Sequence, residues 1–182
     1  FKFATEWIVD QTKFPEIFYC QTSSIFQARL VKMERELMEK TGYEKLYSLI
    51  VLVTGEIGDN SFAHNLGNCP DIPGIFFGYD FQKRIIVLAD RGSGVLETLR
   101  RVRPELSNHV SAVEVAFTEF ISSRSPEKRG NGLKSVREVI VDHPINLLFM
   151  SGDAEVRMHD PVKKFRVTRG TSMIRGCLVK IE

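Results

Sequence analysis

The chain has 182 residues, 43% hydrophobic and 26% charged, a balance typical of one globular domain with a substantial core. Its formal net charge of +2 is too small to indicate a nucleic-acid or membrane partner, and its longest apolar runs are too short to span a bilayer. The three cysteines are widely spaced without a CxxC pair, which indicates neither a zinc site nor a disulfide framework and favours reduced thiols in a cytoplasmic protein.

An aromatic-rich segment, residues 1–22, opens the chain, and its sequence does not define its role. Within it, the run Phe3–Val9 fits either a short strand or the first turns of a helix. We therefore divide the chain into this N-terminal segment and a single domain over residues 23–182. The chain starts at Phe1 rather than Met, which fits a fragment of a longer protein.

Two helices are predicted next. Ser23 or Ser24 can cap the first, which runs to about Lys40 and either packs against the domain or serves as a dimerisation arm, so a homodimer stays open. Its apolar side chains recur at helical spacing: Ile25, Leu30, Met33 and Leu37. The second helix, about Tyr43–Asn65, is mostly apolar and turns polar only at its far end, which indicates a site there.

The rest of the chain combines paired strands with helices. Two strands joined as a hairpin come first, at about Gly74–Tyr79 and Arg84–Ala89. Three helices are expected after them, at about Val95–Val102, His109–Ser122 and 132–141. Four strands are expected near the end, at about Ile145–Ser151, Ala154–His159, Lys164–Thr168 and Met173–Ile181. This order predicts an α+β fold, a two-layer α/β sandwich with a mixed, mostly antiparallel sheet.

The polar end of the second helix carries the first of three motifs. Glu56, Asn60 and His64 are spaced four residues apart, so they share one face of the helix. A carboxylate and a carboxamide oxygen suit Mg²⁺, which keeps several waters, and the carboxylate can also orient or deprotonate a water. A solvated polar face is the alternative interpretation, which the apolar character of the rest of the helix weakens.

The second motif, Asp90–Gly94, directly follows the second strand of the hairpin. Gly92 and Gly94 let the backbone turn sharply and let a ligand approach closely. The carboxylate of Asp90, at the strand end, can accept a hydrogen bond from an exocyclic amine such as that of adenine. A strand-to-helix turn capped by Asp90 is the alternative interpretation.

The third motif, Arg129–Leu133, directly precedes a predicted helix. Free amides at the start of a helix, with the flexible Gly130 and Gly132 beside them, form an anion site suited to phosphates. A capped loop is the alternative interpretation. Neither glycine motif matches the dinucleotide fingerprint GxGxxG or the P-loop GxxxxGK[ST], which disfavours those two nucleotide-binding folds.

In this order the three motifs resemble those of the GHKL superfamily of histidine-kinase catalytic domains, anti-sigma serine kinases, gyrase-type topoisomerases and MutL-like repair ATPases. Glu56–His64 approximates the family's N box, Asp90–Gly94 its G1 box and Gly130–Leu133 its G2 box. The resemblance covers about residues 46–181. It implies the Bergerat-type ATP-binding fold, the cofactors ATP and Mg²⁺, and a cytoplasmic ATPase or protein kinase of signal transduction.

The resemblance also implies a role for each residue at the base of the pocket. Asn60 would hold Mg²⁺, and Glu56 would position or activate the attacking group as the catalytic residue. Asp90 would read the adenine amine. Gly92 and Gly94 would shape the wall beside adenine and ribose.

Residues 123–132 would form the lid over ATP, and His64 would lie close to the phosphates. Arg129, in the lid, either reaches phosphate or stays solvated. Thr171, after a glycine, resembles the Gly-Thr pair that precedes the last strand in many members of the family. The residues expected at the phosphates are Gly130, Asn131, Gly132 and Leu133.

Two departures from the family pattern concern single residues: Ser61 stands where histidine kinases usually have Ala, and Lys134 ends the G2 box early. The chain also lacks a recognisable phosphoacceptor segment, so it would act on a protein partner or a missing adjacent domain. Three functions stay open. The domain hydrolyses ATP or transfers its γ-phosphate to a protein, or it is a nucleotide-gated protein-binding module with little or no turnover, or the glycine motifs are only turns in an unrelated α+β domain.

Overall fold

A computed structural model of the chain describes residues 1–10, 16–65, 72–120, 132–159 and 164–182, without the side chains of Asp10 and Asn65. Within these ranges the helices are α1 Lys2–Asp10, α2 Ser23–Met38, α3 Tyr47–Asn65, α4 Gly94–Arg100, α5 His109–Thr118 and α6 Gly132–Asp142. The strands are β1 Tyr19–Cys20, β2 Ile75–Asp80, β3 Ile85–Asp90, β4 Leu147–Met158 and β5 Val167–Ile181. Every helix in these ranges is too short or too polar to traverse a bilayer.

The strands form one open sheet in the order β1-β2-β3-β5-β4, and all four pairings between these described strands are antiparallel. The α+β class is confirmed, whereas the parallel pairing expected in a mixed sheet is not found among them. The predicted β2–β3 hairpin is also confirmed. The carboxylate of Asp80 holds its turn together by accepting hydrogen bonds from the backbone N–H groups of Gln82 and Lys83.

Two hydrophobic clusters lie on opposite faces of the sheet. The larger one joins one face to α2, α3, α5 and α6, and it includes Phe26, Val53 and Phe117. The smaller one joins the other face to α1 through Ala4, Trp7 and Ile8. The run Phe3–Val9 is therefore helical, and α1 adds a partial third layer to the expected two-layer sandwich.

The start of α2 differs from the prediction by one residue. The hydroxyl of Thr22, rather than that of Ser23 or Ser24, caps the helix by accepting a hydrogen bond of 3.3 Å from the backbone N–H of Ile25. Phe26, not Ile25, consequently begins the buried face, which continues through Leu30, Met33 and Leu37. Ile25 is exposed because the helix turns it away from the sheet.

The four strands expected after residue 144 are two long strands, β4 and β5, paired with each other. The glycine at position 152 does not end β4. The pairing of β4 with β5 shifts register on both sides of this glycine, and the two strands continue to pair beyond the irregularity. The prediction split these strands because glycine and polar residues in the middle of a strand pattern also indicate turns.

Gly58 lies on α3 directly under the ring of Phe26, which itself packs edge-on against Phe77 with ring centroids 5.2 Å apart. A methyl group at position 58 would overlap that ring. We expect Gly58→Ala to lower the free energy of unfolding by about 1–3 kcal/mol, as overpacked cores do. This loss opposes the gain of about 1 kcal/mol that Ala normally gives over Gly within a helix. Urea unfolding followed by circular dichroism measures the difference.

The matched control for that substitution is Gly55→Ala, one turn earlier on α3. Its added methyl meets only the flexible end of Leu30, at 3.2 Å, so its unfolding midpoint should equal or exceed that of the wild type. A Gly58→Ala protein as stable as the Gly55→Ala protein would contradict the packing described here.

Candidate functional site

The carboxylate of Asp90 lies at the end of β3 on the face of the sheet that α3 covers, and its residue is only 2% exposed. One oxygen, Oδ1, accepts a hydrogen bond of 2.9 Å from the backbone N–H of Gly92. The other, Oδ2, accepts one of 2.9 Å from the hydroxyl of Ser61 on α3. The two bonds hold the orientation of the carboxylate.

The polar end of α3 also approaches the first residue of α6. A Cβ atom built on Gly132 would lie 2.8 Å from Nδ2 of Asn60 and 2.9 Å from Oε2 of Glu56. Glu56 and Asn60 are both partly buried, and they point at the start of α6 as their spacing of four residues predicts. Only a glycine at position 132 leaves this space between helix start and side chains open.

The turn after β3 is locked to β4 and β5 through Ser151. Its hydroxyl accepts a hydrogen bond of 3.0 Å from the backbone N–H of Val95 and donates one of 2.9 Å to the carbonyl of Gly176. Gly94 has a φ of +77° and Gly176 a φ of +70°, backbone conformations that favour glycine. A side chain at position 176 would also overlap Asp90. The Asp90–Gly94 turn therefore rests on a glycine of β5.

Cys177 on β5 pairs directly with Asp90 on β3 and with Ser151 on β4. Burial raises the pKa of its thiol well above the usual value, and the negative charge of Asp90 raises it further. Cys177 is therefore a neutral thiol at physiological pH, and it adds no charge beside the carboxylate of Asp90.

The other predicted residues are distributed unevenly. His64 is partly buried near the end of α3, and Leu133 packs against the larger cluster from α6. Thr171 is exposed on β5, within the register shift between Arg169 and Ile174, and its place at the site stays a prediction. Three predicted residues lie outside the described ranges: Arg129, Gly130 and Asn131.

Three residues that the motifs did not assign to the site contact Asp90 or the turn after it: Ser151, Gly176 and Cys177. They are far from Asp90 in the sequence and meet it only through the pairing of β3, β5 and β4. Ser61 was noted only as a departure from the family pattern, yet its hydroxyl joins α3 to Asp90. The sequence feature that could have identified Ser61 is its position one residue after Asn60, beside the helix face that carries the first motif.

The donor set at this site does not form a complete metal cage. Among the described residues, no cluster of three or more His, Cys, Asp or Glu side chains is arranged to hold a metal ion. Mg²⁺ usually takes one or two protein oxygens, with waters and substrate phosphates supplying the rest of its ligands. Asn60 and Glu56 beside the start of α6 fit that mode, because a carboxamide and a carboxylate supply one or two oxygens and leave the remaining ligand positions to waters and phosphates.

The chain matches no protein-family model, and no curated protein is significantly similar to it. Its function is therefore inferred from the residues and contacts described above.

Proposed function

We propose that the chain binds ATP with Mg²⁺ in a GHKL-type pocket of the Bergerat fold, formed by the polar end of α3, the turn after β3 and the start of α6. The observation that carries the proposal is the double contact made by one end of α3. Ser61 reaches Asp90, while Glu56 and Asn60 reach Gly132. This double contact supports a common site, because residues of the first motif lie beside Asp90 of the second and beside Gly132, a described residue of the third.

At the adenine end of the proposed pocket, Asp90 accepts a hydrogen bond from the exocyclic amine of the base. A buried carboxylate already oriented by Ser61 and Gly92 loses little conformational freedom when the base binds. The thiol of Cys177 lies beside it and is neutral at physiological pH, so it adds no second anion there. Gly92 and Gly94 complete the wall beside the base and ribose.

At the phosphate end, α6 begins beside Glu56 and Asn60 of α3, and the first backbone amides of a helix have no partners within it. Such amides bind phosphate oxygens, and the helix dipole favours the negative charge. Asn60 holds Mg²⁺, which neutralises phosphate charge when bound. His64 and Leu133 flank this end, and the lid residues Arg129, Gly130 and Asn131 belong to the proposal through the family resemblance alone.

Glu56 orients or deprotonates the attacking group, either a water in ATP hydrolysis or a hydroxyl or imidazole of a protein partner in phosphoryl transfer. Its Oε2 lies where the start of α6 would bring the phosphates, so the carboxylate is next to the reacting end rather than the adenine end. The domain thereby acts as an ATPase or protein kinase of the histidine-kinase type.

We expect Glu56→Gln to lower turnover of ATP by a factor of about 10²–10⁴, the usual contribution of a positioned general base, and to leave the affinity for Mg-ATP nearly unchanged. Phosphate release measures turnover, and calorimetric titration measures affinity. The control is Asp59→Asn on the same helix, whose carboxylate accepts a hydrogen bond of 2.7 Å from Nε2 of Gln27 and should not affect either quantity.

Two other results of that experiment have definite meanings. If the wild type binds Mg-ATP without turnover and Glu56→Gln leaves a partner's response intact, the domain is a nucleotide-gated binding module. If neither protein binds nucleotide, the nucleotide proposal is wrong and the glycine motifs are turns.

A further inference from the structure

Arg91 lies between two residues of the proposed adenine site, Asp90 and Gly92, but its side chain points to the opposite face of the sheet. It is only 1% exposed. Its Nη1 donates a hydrogen bond of 2.7 Å to the backbone carbonyl of Trp7 in α1. One strand end therefore presents a carboxylate to α3 on one face and a guanidinium to α1 on the other.

The position of Trp7 within α1 makes this contact favourable. Trp7 lies in the last turn of the helix, the end that carries the negative pole of the helix dipole. A buried cation that donates to a carbonyl there complements the dipole. The guanidinium carbon also lies 5.8 Å from the centroid of the Trp7 ring, within the range of a cation–π interaction.

The smaller hydrophobic cluster also joins α1 to β5, the strand that pairs with β3 at Asp90. Ala4, Trp7 and Ile8 of α1 form one cluster with Ala89 of β3, next to Asp90, and with two residues of β5: Leu178, next to Cys177, and Ile174. The floor of the proposed adenine site and the docking surface of α1 are thus two faces of the same short stretch of sheet.

We propose that Arg91 is a positioning residue that couples the docking of α1 to nucleotide affinity, an inference that rests on the proposed function. With α1 docked, Arg91 and the Asp90–Gly92 hydrogen bond hold the peptide between Asp90 and Gly92 from both faces. With α1 released, Arg91 loses its carbonyl partner in a buried position, and the turn that orients Asp90 relaxes. The segment that carries α1 is thereby a control element for the nucleotide site.

Two substitutions release α1 by different routes. Arg91→Gln removes the cation at the strand end, and Ala4→Asp places a carboxylate in the smaller cluster, on the face of the sheet opposite the proposed nucleotide site. Lys2→Ala is the matched control, because the side chain of Lys2 on α1 is 85% exposed and its ammonium group pairs with Glu6 of the same helix. Trp7 is the only tryptophan in the chain, so acrylamide quenching of tryptophan fluorescence reports directly whether α1 is docked.

We expect both Arg91→Gln and Ala4→Asp to increase quenching of Trp7 and to weaken Mg-ATP binding about tenfold, while Lys2→Ala changes neither. Because coupling is reciprocal, Mg-ATP should slow amide hydrogen exchange in α1 of the wild type and should lose this effect in Arg91→Gln. A purely structural role for Arg91 would leave exchange in α1 independent of nucleotide.

Release of α1 with unchanged Mg-ATP affinity in both variants would overturn the coupling while leaving the proposed function intact. A loss of affinity in Arg91→Gln but not in Ala4→Asp would also overturn it, since Arg91 would then act on the turn alone. If Arg91→Gln does not fold, Ala4→Asp and the exchange measurement on the wild type decide between these results. Absence of Mg-ATP binding by the wild type would overturn the proposed function and this inference together.

Discussion

Asp90→Asn is expected to weaken Mg-ATP binding by a factor of roughly 10 to 100. Hydrogen bonds to charged acceptors contribute about 1.5–3 kcal/mol, and the substitution replaces a charged acceptor that faces the adenine amine. It should not unfold the protein. The Asn carboxamide oxygen still accepts from the N–H of Gly92, and the hydroxyl of Ser61 can rotate to accept from the new NH₂ group. Calorimetric titration of Mg-ATP into wild-type and variant proteins measures the change.

Asp80→Asn is the control for this experiment. Asp80 also ends a strand of the same hairpin, and it also accepts hydrogen bonds from backbone N–H groups two and three residues later. Its carboxylate is much more exposed and lies at the other end of the hairpin from Asp90. Equal affinities for all three proteins would mean that Asp90 does not read the base. Loss of binding in both variants would indicate an effect on the hairpin rather than on the site.

Gly132→Ala is expected to lower ATP turnover without lowering the unfolding temperature of the protein. The backbone of Gly132 does not have the positive φ that strains other residues, so Ala fits the start of α6 and reduces the conformational entropy of the unfolded chain. The unfolding temperature should stay equal or rise. The methyl group, however, would occupy the space 2.8–2.9 Å from Asn60 and Glu56, displacing side chains that are proposed to hold Mg²⁺ and the attacking group.

We therefore expect turnover to fall about a hundredfold, the scale of effect produced by misplacing catalytic groups by about 1 Å. Phosphate release and thermal unfolding measure the two quantities on one preparation. Gly170→Ala is the matched control, because a Cβ there meets its nearest neighbour at an ordinary 3.7 Å. Undiminished turnover in Gly132→Ala would show that the space between α3 and α6 is not where the phosphates react.

The elements with local signals were predicted best. The β2–β3 hairpin follows from two apolar runs around a polar turn, and the polar end of α3 follows from side chains four residues apart. The junction of Ser61 with Asp90 depends on how α3 lies across the sheet, which periodicity does not encode. Cys177 was not predicted at the site because the register between β3 and β5 joins residues 87 positions apart.

The errors have similarly specific causes. Thr22 displaced the expected serine caps because any of three adjacent hydroxyls can satisfy the same free amide, and only the three-dimensional path selects one. The breaks expected at residues 152–153 and 169–172 fall inside β4 and β5, whose pairing shifts register around Gly152 instead of ending there. Local sequence context does not report how far a strand continues past a bulge.

The order of the strands has a consequence for the synthesis of the protein. β5 follows the other four described strands in sequence, yet in the sheet it lies between β3 and β4 and pairs with both. Until β5 emerges from the ribosome, β3 and β4 have no shared partner, and the backbone groups of β3 that face β5 remain an open edge. In a nascent chain the β2–β3 hairpin is therefore not yet joined to β4, and the five-stranded sheet is complete only when β5 inserts between β3 and β4. Such long-range closure slows folding and exposes strand edges to neighbouring chains, so yields of folded protein should depend strongly on temperature and on chaperone capacity during expression.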